Sequence, residues 1–547
     1  MQSPPVARLS TWLTPRRYAA AVLLLLLIGA AWRLTLAAAM PIPSRDGVTF
    51  LRHGEALALD VGAALRNPEL VQHPLYPLLV AGVRINLPAE LHAPDSVDYW
   101  LRAGQSVSLS ASVAVIALCA WLSRRTTALL TPAADAGAHR AAGLWGGLIA
   151  ALLPLNTWLS ADVMSDQLHA AFYLACLGLA LHGPCPRAGL AAGLFSGLAF
   201  LTRPEGAVAG ASAAIGMLSD SREKRAWMRI VAPILLVIGF LAVAIPYWEL
   251  SGRWSSKEDK QPLSEFVSAH RGRASLGVLA ALERRDLPPA LTIPAAAWET
   301  LRAGRIVVTL AGLIALALWW RVVLKGPLRV LLFAGAAHFG LTVWLLHRHG
   351  YLSPRHELIV VLLLIPFAAA GLAQLAQRAR ARRWGRLVTT GAGIAVLLPL
   401  AIYSLRIPNR EAALLRPVAA ALRADPALRG ALLLGGSNHS RVAYFAGLRF
   451  QPWPENLAAP ESRFQALREH ILHHRPNLVA MDVGRSDETG ENTALLERLR
   501  ADPELGPRLR AREHGPAERA AREGIGLVLL EGVWSLHASQ PDAVGVP

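Results

Sequence analysis

Long apolar runs broken by short polar stretches recur along the chain as far as residue 405, near 18–40, 105–122, 142–160, 168–182, 188–202, 206–218, 228–248, 303–320, 328–346, 357–376 and 386–405. Runs of this length with so few charges predict about eleven membrane-spanning helices, the shorter runs having the least defined ends. Beyond 405 the pattern changes. Ala- and Arg-rich stretches of helical character alternate with short apolar runs at 431–434, 478–481 and 527–530, each followed by turn or polar residues such as Gly435, Gly436 and Ser437. That alternation predicts a small α/β domain. The expected division is therefore a multi-pass membrane domain over 1–405 and a soluble domain over 406–547.

Composition agrees with this division. The chain has 547 residues, 53% of them hydrophobic, and a mean hydropathy of +0.36, more apolar than a soluble protein of this length requires. The net charge of +17 is placed in short loops between apolar runs. With the N-terminus in the cytoplasm, every inner loop is basic: Arg124 and Arg125, then Arg187, then Arg222, Lys224, Arg225 and Arg229, then Arg321, Lys325 and Arg329, then Arg378 to Arg386. This is the positive-inside pattern and not a nucleic-acid footprint. An odd number of spans puts the tail outside the cytoplasm, so the expectation is a multi-pass protein of the cell (inner) membrane with an extracytoplasmic C-terminal domain.

The run over 18–40 follows Arg8, Arg16 and Arg17, as a signal peptide would, but its length fits a retained helix better. Cys119, Cys176 and Cys185 have no spacing typical of a disulfide framework or a zinc knuckle. Gly435 and Gly436 lack a full phosphate-binding fingerprint.

In the same topology, five polar clusters fall on one side of the membrane. They are Arg45 and Asp46, His73-Pro74-Leu75-Tyr76-Pro77, Asp162 to His169, Thr202-Arg203-Pro204-Glu205-Gly206, and His347 to Glu357. Charge beside hydrocarbon is costly, so its repetition on one face predicts a site there. The first outer loop, 41–104, is too long for a connector and predicts helices lying in the interface. The second, 249–302, mixes Trp254, Lys257, Glu258, Asp259 and His270 and reads equally as a mobile lid or a simple connector.

Several residues in these clusters carry candidate chemistry. Asp46, just past the first span, can take a proton from a hydroxyl or can cap the helix that follows it. Arg33, near the outer end of that span, can reach an anionic group or the lipid headgroups. Asp162, Asp166 and His169 follow helical spacing, so one face can present all three to a divalent cation, given further ligands; helix capping is the plainer alternative. Arg203 precedes the helix-stopping Pro204, with Glu205 close by, and can grip a phosphate through two parallel hydrogen bonds or merely pair with Glu205. Arg355 and His356 repeat that arrangement, and two basic clusters on one face favour a phosphate-bearing ligand.

Taken in order, Asp46, the His73 to Pro77 motif, Asp166, the stretch Leu201 to Gly206, and Tyr351 with Ser353-Pro354-Arg355-His356 resemble the GT-C superfamily of membrane glycosyltransferases. The resemblance is to the branch that includes protein O-mannosyltransferases and the lipid A aminoarabinose transferase, and it covers the chain to about residue 405. It implies Asp46 as catalytic base, a polyprenyl-phosphate-linked sugar as donor, and Arg203 facing the donor phosphate. The residues themselves add Arg355, His356 and Arg33 as candidate phosphate ligands, a candidate substrate pocket containing His73, Tyr76, Asp162, Asp166, Glu205 and Tyr351, and a lipid, glycan or protein acceptor. The chain has Asp46-Gly47 where the protein mannosyltransferases have an Asp-Glu pair, which speaks against a protein acceptor. A transporter or lipid flippase is the main alternative, but such proteins place ionisable residues at the bilayer midplane, often in repeated halves, and no repeat is evident here.

Overall fold

The computed structural model describes residues 13–67, 69–70, 72–86, 97–220, 225–255, 289–349, 352–380, 385–406, 410–453, 460–484, 491–511 and 525–533. These divide into two compact units, with the boundary between residues 408 and 409.

Each of the apolar runs is helical in the first unit. Among the described residues, seven helices are long and apolar enough to cross a membrane: Pro15–Ala38, Val97–Leu130, Ala226–Ser251, Val307–Lys325, Arg329–Arg348, Pro354–Ala379 and Leu387–Ser404. The pair Ala136–Leu152 and Pro154–Ala161, bent by 55°, makes an eighth if counted as one span. The other three runs form helices Asp166–Ala180, Pro186–Thr202 and Gly206–Leu218, of 15, 17 and 13 residues. At 1.5 Å per residue these fall short of a hydrocarbon core about 30 Å thick. Length alone thus counts seven or eight spans among the described residues, and the three shorter helices would have to cross as well to make the eleven expected.

The bend has a local cause. Leu153, in extended conformation, precedes Pro154, and the proline ring disfavours helical geometry at the residue before it. Carbonyls released at the break are recovered by side chains: Asn156 Nδ2 donates to Ala150 O at 2.8 Å and Thr157 Oγ1 to Ala151 O at 3.3 Å. Helices Pro186–Thr202 and Ala226–Ser251 pack backbone against backbone, because a methyl group on Gly193 would fall on the Leu236 carbonyl. Such close approach through small residues is a common way to join helices where no hydrophobic driving force exists.

The first outer loop folds into helices Arg45–Leu59, Val61–Arg66 and Leu75–Asn86. Arg45–Leu59 buries Val48, Leu51 and Leu57 on one side while Arg52 is exposed, as an amphipathic interfacial helix would. Most of the second outer loop, 256–288, lies outside the described residues.

The second unit contains a five-stranded mixed sheet in the order β2-β1-β3-β5-β4. Its strands are β1 Leu432–Gly435, β2 Arg449–Pro452, β3 Leu478–Gly484, β4 Leu509–Ala511 and β5 Ile525–Gly532. β1 runs parallel to β2 and β3, whereas β5 is antiparallel to β3 and β4. Helices Pro460–His474 and Glu491–Ala501 cover it, burying Phe464, Leu467 and Ile471 from one and Leu495, Leu496 and Leu499 from the other against Val479, Met481 and Leu530. This is the small α/β domain that the sequence predicts.

Candidate active site

Asp46 lies in the first turn of helix Arg45–Leu59, but the cap is Ser44, whose Oγ accepts from the Gly47 amide at 3.2 Å. The capping alternative for Asp46 is thereby removed. Ser44 is itself held: its amide donates to Asp162 Oδ1 at 2.9 Å, and the Val163 amide donates to the same oxygen at 2.7 Å. Buried Asp162 thus pins the turn that presents Asp46. Gln105 reinforces the region from beneath, its amide donating to the carbonyls of Ala37, Met40 and Ala161.

Arg203 ends helix Pro186–Thr202 in extended conformation. The turn to the next helix is tight enough that a side chain on Gly206 would collide with the backbone of Ala199 and Phe200. From there Arg203 Nη1 donates to Asp166 Oδ1 at 2.7 Å, the aspartate being almost fully buried. The ion pair crosses between helices; its carboxylate is Asp166, 37 positions away.

Arg355 and His356 lie in the 3-10 turn Pro354–Glu357, closed by a capping box in which the Ser353 amide donates to His356 Nδ1 at 3.1 Å. Buried Glu357 anchors this turn, accepting from Thr300 Oγ1 at 2.9 Å. Arg355 Nη1 donates to Asp46 Oδ2 at 2.6 Å, joining the first polar cluster to the last. Burial alone pushes the Asp46 carboxyl up, but the charge and hydrogen bond of Arg355, with the charges of Arg45 and Arg203, outweigh it and hold the group below its ordinary value.

A pocket opens where these elements meet. It is lined by Asp166, His169, Arg203, Glu205, His338, Thr342, Arg355 and His356, with an apolar wall that includes Leu341, Leu345 and Ile359. Asp46 borders it through Arg355. Four of the five polar clusters therefore converge at one end of the bundle. His338, in the apolar helix Arg329–His349, was not among the residues singled out from the sequence, although an ionisable side chain inside such a helix is itself a signal. Its Nε2 donates to the His356 carbonyl at 3.1 Å.

Other candidates are used elsewhere. Arg33 is fully buried inside the bundle: Nε donates to Ser112 Oγ at 2.8 Å, and Nη1 to the carbonyls of Gly29 and Ala151 at 3.2 and 3.3 Å. It joins three helices and does not line the pocket. His73 packs against Phe200 and Tyr247 and shares a hydrogen bond with Ser255 Oγ at 3.2 Å. Tyr76 donates to the Gly104 carbonyl at 3.0 Å and lies 2.7 Å from Ser108 Oγ. Neither is among the pocket's lining residues. Tyr351 lies outside the described residues. Among the described residues, no group of three or more His, Cys, Asp or Glu side chains is arranged to hold a metal ion. Of the expected ligand set of Asp162, Asp166 and His169, Asp162 Oδ1 accepts from the Ser44 and Val163 amides and Asp166 pairs with Arg203.

No family model matches the chain, and no curated protein matches it. Solved structures do. ArnT from Cupriavidus metallidurans bound to undecaprenyl phosphate superposes with a TM-score of 0.56 at 14% identity, covering 97% of this chain and 100% of that one. The apo oligosaccharyltransferase of Archaeoglobus fulgidus gives 0.55 at 12% identity over 89% of this chain and 71% of that one. The same enzyme in complex with Zn and sulfate gives 0.51 at 12% identity, with 89% and 71% covered. The chain has the GT-C fold. The resemblance drawn from its motifs thus holds for the architecture, and the chain's own long apolar helices make it an integral membrane protein. At these identities the likeness reaches the fold and leaves the chemistry to the chain's own residues.

Proposed function

We propose that this GT-C-fold protein transfers a sugar from a polyprenyl-phosphate-linked donor to an acceptor hydroxyl at the outer face of the cell membrane, with inversion at the anomeric carbon. The observation that carries the reading is the junction of Asp46, Arg355 and the Arg203-lined pocket: a carboxylate base beside two guanidiniums suited to a phosphate. Structural neighbours support the donor class, since one is bound to undecaprenyl phosphate.

Asp46 takes the proton of the acceptor hydroxyl as its oxygen attacks the anomeric carbon. The bond from that carbon to the phosphate oxygen breaks, and the departing polyprenyl phosphate keeps the electron pair. Arg203 and Arg355 offset the charge that grows on it. A guanidinium carries five N–H donors, so Arg203 can keep Asp166 through Nη1 while its other donors meet phosphate oxygens. When Arg355 turns toward the phosphate, Asp46 loses the charge that depresses its basicity. Donor binding thereby prepares the base. The basic inner loops support a pocket and a C-terminal domain on the extracytoplasmic side.

Purified protein supplied with a polyprenyl-phosphate sugar and an extract of envelope acceptors should release polyprenyl phosphate and build a glycosylated product. A protein that consumes no such donor, yet moves a lipid across sealed vesicles, would be a transporter.

A further inference from the structure

Away from the pocket, three segments of the bundle meet at a cluster of two guanidiniums and two aromatic rings. Arg305 joins helices Pro289–Ala303 and Val307–Lys325. Tyr403 lies in the last turn of Gly385–Ser404, with Arg406 just beyond, and Trp158 belongs to the half-helix Pro154–Ala161. The Arg305 Cζ is 4.1 Å from the centre of the Tyr403 ring and 5.2 Å from that of Trp158, while the Arg406 Cζ is 4.6 Å from Tyr403. Trp158 Nε1 donates to the Arg406 carbonyl at 2.9 Å and ties the cluster together. Two cations therefore share one ring.

Among the described residues no carboxylate answers their charge. The ion pairs among the described residues include neither arginine, and Glu299, a few positions from Arg305, is taken by Arg302 at 2.6 Å. Burial foremost, with the charges of Arg406 and Arg302, outweighs the opposing influence of Tyr403 and holds the Arg305 guanidinium below its ordinary pKa. Aromatic faces attract cations, but one ring does not cancel the mutual repulsion of two. An anion placed between the guanidiniums would.

The surroundings indicate which anion. Ile306, Ile402 and Leu405 beside the cluster are 44%, 49% and 60% exposed, an apolar rim suited to acyl chains. Tyr and Trp at the ends of spans are typical of headgroup depth. Arg305 and Ile306 both adopt positive φ, 53° and 60°; for a β-branched residue this is an outlier of the kind that clusters at ligand clamps. A lipid phosphate meets both demands, the charge through its headgroup and the apolar rim through its chains, whereas free phosphate meets only the first.

We propose that Arg305 and Arg406 bind the phosphate of an anionic membrane lipid at the rim of the bundle, framed by Tyr403 and Trp158. This is a second phosphate site, distinct from the pocket of Arg203 and Arg355, and it does not depend on the reaction assigned there.

The test is lipid retention by the full-length protein, read by native mass spectrometry after delipidation and titration with phosphatidylglycerol, phosphatidylcholine or inorganic phosphate. Basic residues near a membrane surface contribute roughly fivefold each to anionic lipid binding, so the R305Q/R406Q double variant should lose roughly twenty- to thirtyfold for phosphatidylglycerol. The control R187Q/R321Q, with an equal change in charge near the ends of other helices, should keep wild-type retention. Phosphatidylcholine should bind wild type and double variant alike, and inorganic phosphate should not displace the lipid. Equal phosphatidylglycerol retention by wild type and R305Q/R406Q overturns the proposal, as does an equal loss in the control. Displacement by inorganic phosphate at matching concentration overturns the lipid assignment. Should R305Q/R406Q fail to fold, R305K/R406K decides: it keeps the charges but lacks the planar fork, and it must retain less phosphatidylglycerol than wild type or the site is rejected.

Discussion

Asp46 and Arg355, 309 positions apart in the chain, are joined by one 2.6 Å contact between Oδ2 and Nη1. This pair couples the proposed base to the proposed phosphate ligand, so on the proposed mechanism a bound donor changes the electrostatics of both groups. Both side chains keep part of their surface exposed, 30% for Asp46 and 25% for Arg355. An ion pair of that exposure contributes modestly to stability.

Asp46→Asn should abolish most turnover and leave the fold intact. Asn keeps the size of the side chain, and Ser44 still caps the helix. Loss of a general base typically costs about a hundredfold to ten-thousandfold in rate. Turnover of a polyprenyl-phosphate sugar and the thermal midpoint in detergent check this together; wild-type turnover in the variant would reduce Asp46 to a partner of Arg355.

Arg355→Gln should alter the pH dependence of the reaction. The Asp46 carboxyl of the free enzyme is held below its ordinary value, so in wild type the acid limb of the kcat/KM profile should lie below the usual carboxylate range. Without Arg355, burial, the largest single influence and one that raises the pKa, is opposed only by the more weakly acting Arg45 and Arg203. The acid limb should therefore move upward, and the donor KM should rise. A limb that stays in place would show that Asp46 does not titrate in the rate-limiting step.

Most of the architecture was legible because its signals are local. Apolar runs marked the helices, and the apolar clusters at 431–434, 478–481 and 527–530 became β1, β3 and β5, the three central strands. The missed strands β2 and β4 are short, lie at the sheet edges and carry mixed or polar residues. They owe their conformation to the neighbour they pair with, which no local pattern records. The site divided in the same way. Arg203, Asp166 and Arg355 were visible as charges beside hydrocarbon, but their partners were not, since nothing near Asp46 in sequence points to Arg355. Arg33 and Asp162 looked equally reactive in sequence. The fold spends both on backbone and hydroxyl groups that would otherwise be left unpaired.

Arg203→Ala should damage both donor binding and stability, because it strands Asp166 as a carboxylate of 1% exposure. Breaking a buried pair by removing one partner typically costs about 3–5 kcal/mol. The double variant Arg203→Gln with Asp166→Asn removes both charges and should regain much of that stability while remaining poor in donor binding. Arg203→Lys should keep partial activity, since Lys retains charge without the bidentate fork. Normal donor affinity in the stable double variant would confine Arg203 to a structural pair.

Asp162→Ala should act on catalysis through position. Its carboxylate holds the amides of Ser44 and Val163 at 2.9 and 2.7 Å, and removing it leaves buried donors unsatisfied at a cost of about 1–3 kcal/mol. The turn before Asp46 then loosens, so kcat should fall while the donor KM, set by Arg203 and Arg355, changes little. Ser44→Ala should reproduce the effect in milder form, because a lost helix cap costs about 1 kcal/mol. The measurement that separates this from a ligand role is titration of the Asp162→Ala protein with magnesium, manganese or zinc. Positioning predicts that no concentration restores kcat, since the missing acceptor served backbone amides. Recovery of wild-type turnover at high metal would instead make Asp162 a ligand, as its spacing from Asp166 and His169 first suggested.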